Sequence, residues 1–328
     1  MVFAAGGRGR AAGIAAGVVA DAVFGDPRRG HPVALFGSGA AALERRSYAD
    51  TRAAGAVHTA GLLVSVAIVG VVAERGGGRR SALRDAACLA VATFVALGGT
   101  SLCRTGEQMV LLLQTGDIDG ARRLLPSLCG RDPAVLDAAG LTRAALESIA
   151  ENTSDAQVSA LVWAVIGGTP GVLLYRAANT LDAMIGNRSP RYARFGWAAA
   201  RFDDLANLAG ARLTGVFVAL CAPVVGGSPM AAVRAWQRDA RKHPSPNAGV
   251  AEASFAGALG VRLGGPTQYA HEMEIRPTLG EGRPPEVDDL ARAVRLSRAV
   301  QVAAAVASVC LAAVSVGGRS GRRVSPRW

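Results

Sequence analysis

Three dense polar clusters flank one apolar segment in an otherwise alanine-rich, apolar chain. They are R-A-A-L-E-S-I-A-E-N-T-S-D (Arg143 to Asp155), N-T-L-D-A-M-I-G-N (Asn179 to Asn187) and R-F-D-D-L-A-N (Arg201 to Asn207). Carboxylates and side-chain amides are costly to place beside long apolar runs, and they usually persist there because they bind or transform something. These clusters are therefore the first place to expect chemistry.

The first cluster has a regular spacing. Arg143, Glu147, Glu151 and Asp155 lie four residues apart, and each such step drifts only about 40° around a helix, so they form one stripe. Three acids with one arginine, and Asn152 beside them, suit Mg²⁺ or a cationic amine. The alternative is a solvated face held by salt bridges, which is a common meaning of this spacing.

The second cluster places Asn179 and Asp182 at the edge of the apolar segment, just after Tyr175 and Arg176. Both residues are candidates for orienting or holding a ligand. The alternative is helix capping, since asparagine and aspartate are common caps.

The third cluster supplies paired carboxylates between guanidinium groups. Arg201, Asp203, Asp204, Asn207 and Arg212 fall within twelve residues. Adjacent aspartates point to different sides of a helix, so at most one is expected to serve a given site. The arginines suit a phosphate or a carboxylate, which a guanidinium binds with two parallel hydrogen bonds.

Two turn motifs offer further polar groups. Asp26 and His31 lie in G-D-P-R-R-G-H-P-V after the first apolar run, and Ser245 and Asn247 lie in H-P-S-P-N-A-G. The second motif can hold an anion through hydroxyl, amide and backbone N–H groups. Both motifs can equally be rigid turns.

The surrounding elements are apolar helices. Half of the residues are hydrophobic and only 19% are charged, against about a quarter in soluble domains. Six apolar segments approach the roughly 20 residues that cross a bilayer. They are 11–24, 56–73, 86–103, 157–175, 213–227 and 299–316. The expected fold is all-α: one multi-pass, membrane-embedded domain over residues 1–328 in contact with lipid. The first segment imitates a signal peptide but is expected to be retained, and a soluble helical protein is the alternative.

The two longer polar inserts, 104–156 and 229–298, are expected to be helical, the second with turns. If every apolar segment crossed fully, Glu151 and Asp182 would lie on opposite sides of the membrane. Gly167-Gly168-Thr169-Pro170-Gly171 stands between them and is typical of a broken or re-entrant pair of half-helices. We therefore predict that 157–175, or 213–227 with Pro223, does not cross as a simple helix.

Several function classes find no support. The net charge of +11 comes almost entirely from arginine, and no basic stretch is interleaved with aromatic residues, so no nucleic-acid partner is expected. The G-x-x-x-x-G-K-[ST] motif of a P-loop is absent. The five cysteines are scattered without metal-like spacing, which is compatible with a reducing interior.

Taken together, the blocks resemble the CobD/CbiB family, the adenosylcobinamide-phosphate synthases of cobalamin biosynthesis. The resemblance rests on D-A-V-F-G-D-P-R-R-G-H-P-V, E-S-I-A-E-N-T-S-D, L-L-Y-R-A-A-N-T-L-D-A-M-I-G, F-G-W-A-A-A-R-F-D-D-L-A-N and R-K-H-P-S-P-N-A-G, in this order. It implies a membrane acid–amine ligase that joins the free propionate of adenosylcobyric acid to aminopropanol or its O-phosphate, using ATP and Mg²⁺. Where family members often have S-D-G, this chain has Ser154-Asp155-Ala156.

With that resemblance, residue roles follow as hypotheses. Glu151, Asp155 and Asp182 hold Mg²⁺ or the ammonium group, and Asn152 and Asn179 orient the ligand. Arg201 and Arg212 face phosphate, Asp203 or Asp204 assists the amine, and Asn207 binds substrate. Asp26, His31, Ser245 and Asn247 complete the substrate-binding set.

An ATP-coupled route would pass through an acyl phosphate or acyl adenylate. Substrate supply places the motif-bearing side at the cytoplasmic face of the cell membrane, with other corrinoid-pathway enzymes as possible partners. The alternative function is a corrinoid-binding transporter or scaffold, because broken segments with polar residues also describe transporters.

Overall fold

The computed structural model describes residues 7–27, 30–75, 81–187, 189–268 and 273–314. Over these residues the chain forms twelve α-helices, one π-helical turn and one two-stranded antiparallel hairpin. The helices are α1 (Gly7–Phe24), α2 (Pro32–Ser47), α3 (Arg52–Arg75), α4 (Ala82–Ala96), α5 (Gly99–Gln114), α6 (Ile118–Leu124), α7 (Ala138–Thr153), α8 (Ser159–Ile185), α9 (Trp197–Cys221), α10 (Pro229–Asp239), α11 (Ala248–Leu259) and α12 (Val287–Val314). The strands are β1 (Leu263–Gln268) and β2 (Met273–Leu279).

Five helical stretches among the described residues are long and apolar enough to cross a membrane. They are Arg52–Arg75, Ala82–Gln114, Ala138–Ile185, Trp197–Val225 and Val287–Val314. The predicted all-α, multi-pass membrane architecture is confirmed at this level. A main core, with Leu146, Phe255 and Leu296 fully buried, lies where α7, α11 and α12 meet. A smaller core lies around Leu181 and Phe195.

Several predicted apolar segments end differently in the structure. Segment 86–103 is not one helix: α4 ends at Ala96, Leu97 is extended, and α5 begins at Gly99. Segment 213–227 closes α9 at Cys221 and continues as a 3-10 turn that a left-handed Gly226 ends. The last two residues of segment 299–316 lie outside the described residues.

Segment 11–24 lies within α1, which packs in parallel along α4. A Cβ at Gly13 would lie 2.8 Å from the carbonyl oxygen of Ala86, so glycine is what permits this close approach. Asp21 interrupts the apolar run, and its carboxylate binds the first turn of α5. Its Oδ2 accepts hydrogen bonds from the backbone N–H of Thr100 at 3.2 Å and from its hydroxyl at 2.9 Å. The carboxylate thus joins the end of α1 to the start of α5.

The helix α8 is a hairpin of two half-helices. Gly168 has φ 60° and ψ −150°, a backbone conformation that residues other than glycine rarely adopt, and Pro170 lies two residues later. The chain turns back there, as the distance of 2.6 Å between the Tyr175 hydroxyl and the carbonyl oxygen of Asp155 shows. A straight helix would separate these residues by about 30 Å. The broken segment predicted at 157–175 is therefore confirmed.

The tip of this hairpin is held by two charged side chains. Glu74 at the end of α3 accepts a hydrogen bond from the Thr169 N–H at 3.0 Å. Arg10 of α1 donates to the Val165 carbonyl at 2.8 Å. These contacts satisfy backbone groups that the break removes from the helical ladder.

A π-helical turn, Ser154–Val158, joins α7 to α8. Single π-turns inside helices are often found at functional sites. Here the turn carries Asp155, and its Ala156 carbonyl accepts a hydrogen bond from Gly98 N at 3.1 Å.

The polar insert 229–298 is not wholly helical. Within it, β1 pairs antiparallel with β2, with Leu263 opposite Leu279 and an irregularity between Leu263 and Gly265. The sequence did not predict this hairpin, because L-G-G-P-T-Q shows no alternation of apolar and polar residues. The hairpin packs beside α11 and contacts α7 through Gly264.

Candidate active site

The predicted stripe on α7 faces the protein interior, not solvent. Glu147 is 1% exposed, pairs with Arg131 and accepts a hydrogen bond from Gly264 N at 2.7 Å. Arg143 donates to the Gly264 carbonyl at 2.7 Å. The solvated-face alternative is therefore wrong for this end of the stripe. We call Glu147, Glu151 and Asp155 the acid row.

The reversal of α8 brings the second cluster to Asp155. Asp155 lies within electrostatic range of Glu151, Asp182, Asp203 and Arg176. Acids from three separate segments of the chain thus meet around one carboxylate. This convergence is what the sequence predicted for Glu151 and Asp182, and the Gly168 turn produces it.

The buried side of α9 completes this group. Asp203 is 7% exposed, and its Oδ2 accepts a hydrogen bond from the Asn207 amide at 2.9 Å. Asp203 Oδ1 is buried and accepts no hydrogen bond from the described residues. The Tyr175 hydroxyl lies 2.8 Å from Asn207 Oδ1 and 2.6 Å from the Asp155 carbonyl, so one proton serves two acceptors. Asp203 therefore retains an oxygen that can accept a proton or a ligand N–H.

Asp204 points to a different side of α9 from Asp203, as the helical geometry predicted. It is half-buried and lies 3.4 Å from the exposed Arg201. It is also an electrostatic neighbour of Asp182. Asn179 accepts a hydrogen bond from Arg176 at 3.3 Å and lies close to Asp203. Asn179 therefore links the second and third clusters and does more than cap a helix.

The H-P-S-P-N-A-G turn is tied to α9. Arg212 donates to Asn247 Oδ1 at 2.6 Å, and the Asn247 amide donates to the Asp204 carbonyl at 2.7 Å. Ser245 Oγ accepts from Asn247 N at 3.3 Å and from Ala248 N at 3.2 Å, so it ties the turn to the N-cap residue and to the first residue of α11. In this structure Arg212, Ser245 and Asn247 hold the turn beside Asp204, and a ligand would have to displace some of these bonds.

Asp26 and His31 lie in the connection between α1 and α2. His31 caps α2 by accepting a hydrogen bond from Val33 N at its Nδ1, which leaves Nε2 facing Asp26 Oδ1 at 3.6 Å. Asp26 lines a cavity of about 190 Å³ together with Asn152 and Arg176. The amide nitrogen of Asn152 donates to Ser148, so its oxygen remains available to a ligand.

A set of charged residues was missed by the sequence reasoning. Glu252 on α11 is 1% exposed and lies 3.7 Å from His243 Nε2 and 3.6 Å from Arg276 Nη1. Burial raises the pKa of Glu252 well above its usual range, and the neighbouring Glu147 and Glu151 raise it further. Glu252 therefore extends the acid row. One signal was available: Glu252 is the only charged residue of α11.

The acids do not form a ready metal centre. No three His, Cys, Asp or Glu side chains in the described parts of the chain are arranged to hold a metal ion. The predicted set of Glu151, Asp155 and Asp182 is brought together without being preformed as ligands. Mg²⁺ commonly uses only one or two protein carboxylates and takes its remaining oxygens from water and phosphate. The donor chemistry therefore fits a cation shared with a phosphate-bearing substrate.

Comparison with known proteins identifies the family. A family model described as CobD/Cbib protein matches residues 14–297. The cobalamin biosynthesis protein CobD of Mycobacterium tuberculosis (strain H37Rv) is 63% identical over 310 residues, covering 94% of this chain and 98% of that protein. A protein of the same name from Geobacter metallireducens is 42% identical over 271 residues, covering 80% of this chain and 84% of that protein. Another from Pelobacter propionicus is 37% identical over 306 residues, covering 92% of this chain and 95% of that protein. No solved structure matches the chain. The chain therefore belongs to the CobD/CbiB family.

Proposed function

We propose that this protein acts in cobalamin biosynthesis as a membrane acid–amine ligase, which joins aminopropanol or its O-phosphate to the free propionate of adenosylcobyric acid. One observation carries the proposal beyond family membership. Glu151, Asp155, Asp182 and Asp203 are electrostatic neighbours although they come from three separate segments. A group of acids beside Arg176 can hold an ammonium group and order a cation next to phosphate.

The amine must lose a proton before its nitrogen can attack a carboxyl carbon. Asp203 is the best-placed base in the third cluster, since Oδ1 is buried without a hydrogen bond from the described residues while Asn207 holds Oδ2. Asp204 lies beside the exposed Arg201 and is less confined. Asp155 and Asp182 then hold the ammonium group until the proton is transferred.

In this proposal, ATP and Mg²⁺ activate the propionate carboxylate of adenosylcobyric acid. When bound, Mg²⁺ would offset phosphate charge and orient phosphate oxygens. Glu151, Asp155 and Asp182 supply the carboxylate oxygens that would hold it, and because each carboxylate has two oxygens, one can serve the cation while the other faces the ammonium group. Arg201, at the solvent edge, and Arg212, once released from Asn247, are the cations that would face phosphate.

The test is a membrane-reconstituted assay with adenosylcobyric acid, aminopropanol or its O-phosphate, and Mg²⁺, with and without ATP. Asp155→Asn and Asp182→Asn should each lower amide formation at least a hundredfold while the protein stays folded in membranes. Asp119→Asn on α6 is a matched control, because this carboxylate is 77% exposed and far along the chain from the clusters. Near-normal turnover by both site variants would refute the residue assignment.

The same preparation tests the transporter alternative. A transporter would move labelled corrinoid across sealed vesicles without forming amide, and a scaffold would bind it unchanged. We propose that the acid group opens toward the cytoplasm, because ATP, which the proposed reaction consumes, is supplied from that side. Labelling of single cysteines placed at Asp119 and Ser189 from one side of the vesicle would test this: the proposal requires both to react from the cytoplasmic side.

A further inference from the structure

A polar cavity of about 190 Å³ lies beside the acid group and is distinct from it. It forms where the turn after α1 meets the start of α5, the turn after α6, the end of α7 and the second half of α8. Six polar residues line it: Asp26, Ser101, Thr105, Ser127, Asn152 and Arg176. Four of these six stand outside the candidate set that the sequence predicted, namely Ser101, Thr105, Ser127 and Arg176.

The cavity carries one charge of each sign. Asp26 and Arg176 both line it, and no ion pair within 4.0 Å joins them among the described residues. Arg176 donates one hydrogen bond to Asn179, and its buried Nε has no acceptor in the described chain. Among the described residues, the ion pair of Asp26 is with His31, at 3.6 Å. Each group therefore retains bonding capacity toward a molecule in the cavity.

The size of the cavity limits what can enter. A cavity of roughly 150 Å³ is enough for a benzene ring, so 190 Å³ accommodates a short amino alcohol with a phosphate group. A corrin ring is far too large. Hydroxyl groups of Ser101, Thr105 and Ser127 add hydrogen bonds for phosphate or hydroxyl oxygens.

The cavity also leads to the acid group. Arg176 is an electrostatic neighbour of Asp155, and Asn152 follows Glu151 on α7. A molecule held in the cavity therefore lies next to the carboxylates that would receive its ammonium group.

We propose that this cavity binds the small amine substrate, and that Asp26 and Arg176 select an amine that carries an ammonium group at one end and a phosphate at the other. The proposal rests on the proposed ligase function and names the binding site of its second substrate. Arg176 is assigned to the phosphate because a guanidinium binds phosphate through paired hydrogen bonds. Asp26 is assigned to the ammonium group as the amine enters the cavity, before that group passes to Asp155 and Asp182.

The first test measures KM for each substrate separately. Arg176→Gln should raise KM for the phosphorylated amine about tenfold to a hundredfold, the loss expected for a charged hydrogen bond. Its KM for the unphosphorylated amine and for adenosylcobyric acid should stay unchanged. Asp26→Asn should raise KM for both amines and leave that for the corrinoid unchanged. Arg123→Gln, at an exposed arginine on α6, is the matched control.

The second test needs no turnover. Calorimetric titration of the purified protein with aminopropanol phosphate alone should show binding that Arg176→Gln loses and Arg176→Lys partly retains. If the wild-type protein binds this ligand but forms no amide, the ligase function fails and the cavity assignment stands. The assignment is overturned if Arg176→Gln binds as well as the wild type, if KM for the corrinoid rises equally, or if the wild type prefers the unphosphorylated amine.

Discussion

The turn at Gly168 allows a quantitative prediction, because alanine there must disturb both the backbone and a neighbour. Gly168 has φ 60° and ψ −150°, and an added Cβ would lie 2.7 Å from Glu74 Oε1. Gly167 beside it is the matched control, since a Cβ there would only make an ordinary 3.7 Å contact with Trp163. We expect Gly168→Ala to be damaging and Gly167→Ala to be nearly neutral.

Two contributions set the expected loss of folding free energy in Gly168→Ala. Forcing alanine into this backbone conformation costs about 1–3 kcal/mol. Displacing Glu74 removes the acceptor of the Thr169 N–H, which is part of a residue only 2% exposed, and an unsatisfied buried group costs about 1–3 kcal/mol more. The total of about 2–6 kcal/mol corresponds to at least a roughly thirtyfold fall in the folded-to-unfolded ratio.

The assay is the denaturation midpoint of the purified protein in detergent, followed by amide formation in reconstituted membranes. On a Glu74→Ala background the contact is already lost, so Gly168→Ala should cost only the backbone share, about 1–3 kcal/mol. Amide formation should fall with stability, because the turn is what brings Asp182 to Asp155. Equal midpoints for Gly168→Ala and Gly167→Ala would refute the reasoning.

Three further variants probe the site and its surroundings. Removal of the hydroxyl in Tyr175→Phe should leave Asn207 without its donor, cost about 1–2 kcal/mol in the unfolding midpoint and lower kcat more than it raises KM. The hydrogen bond from Arg238 lowers the pKa of the buried Asp239, so the stability that this carboxylate contributes is present at neutral pH and is lost as pH falls. Asp239→Asn should therefore cost about 2–4 kcal/mol at pH 7 and flatten the acid limb of the stability profile. Burial raises the pKa of Glu252, so the folded protein keeps this carboxyl protonated at a pH where the unfolded chain has lost the proton. The wild type should therefore lose stability as pH rises through that raised pKa. Glu252→Gln should remove this loss in unfolding midpoints measured from pH 5 to 9.

Local patterns were enough to predict the helical architecture and the convergence of acids. The four-residue spacing from Glu147 to Asp155 identified one face of a helix, and the Gly-Pro stretch around Gly168 identified a break. Both are properties of a few consecutive residues, so they are visible before folding. The parity of apolar segments then required the break to bring Glu151 and Asp182 together.

Contacts between distant segments could not be predicted in the same way. Arg131 and Arg276 reach the acid row from a loop and from the β-hairpin, and no spacing rule connects them to Glu147 or Glu252. Asn247 also has a structural role that the sequence did not predict, since its amide and oxygen are both used to join α9 to the start of α11. A side chain's partners across the fold depend on packing, which composition and periodicity do not encode.

The π-helical turn at Ser154–Val158 has a consequence for how this stretch can vary by insertion and deletion. A π-turn holds one residue more than an α-turn, so losing any one of its five residues would restore ordinary helix. Because the extra residue is absorbed within the wide turn, the chain beyond it would keep nearly its present orientation, and the change would fall on the turn itself. The Asp155 carbonyl would then move from the position where it accepts the Tyr175 hydroxyl, whereas a conservative substitution that keeps the length would leave the turn intact. Deletion scanning across 154–158 should therefore be far more harmful than alanine scanning, and homologous chains should keep the length of this stretch even where they change its residues.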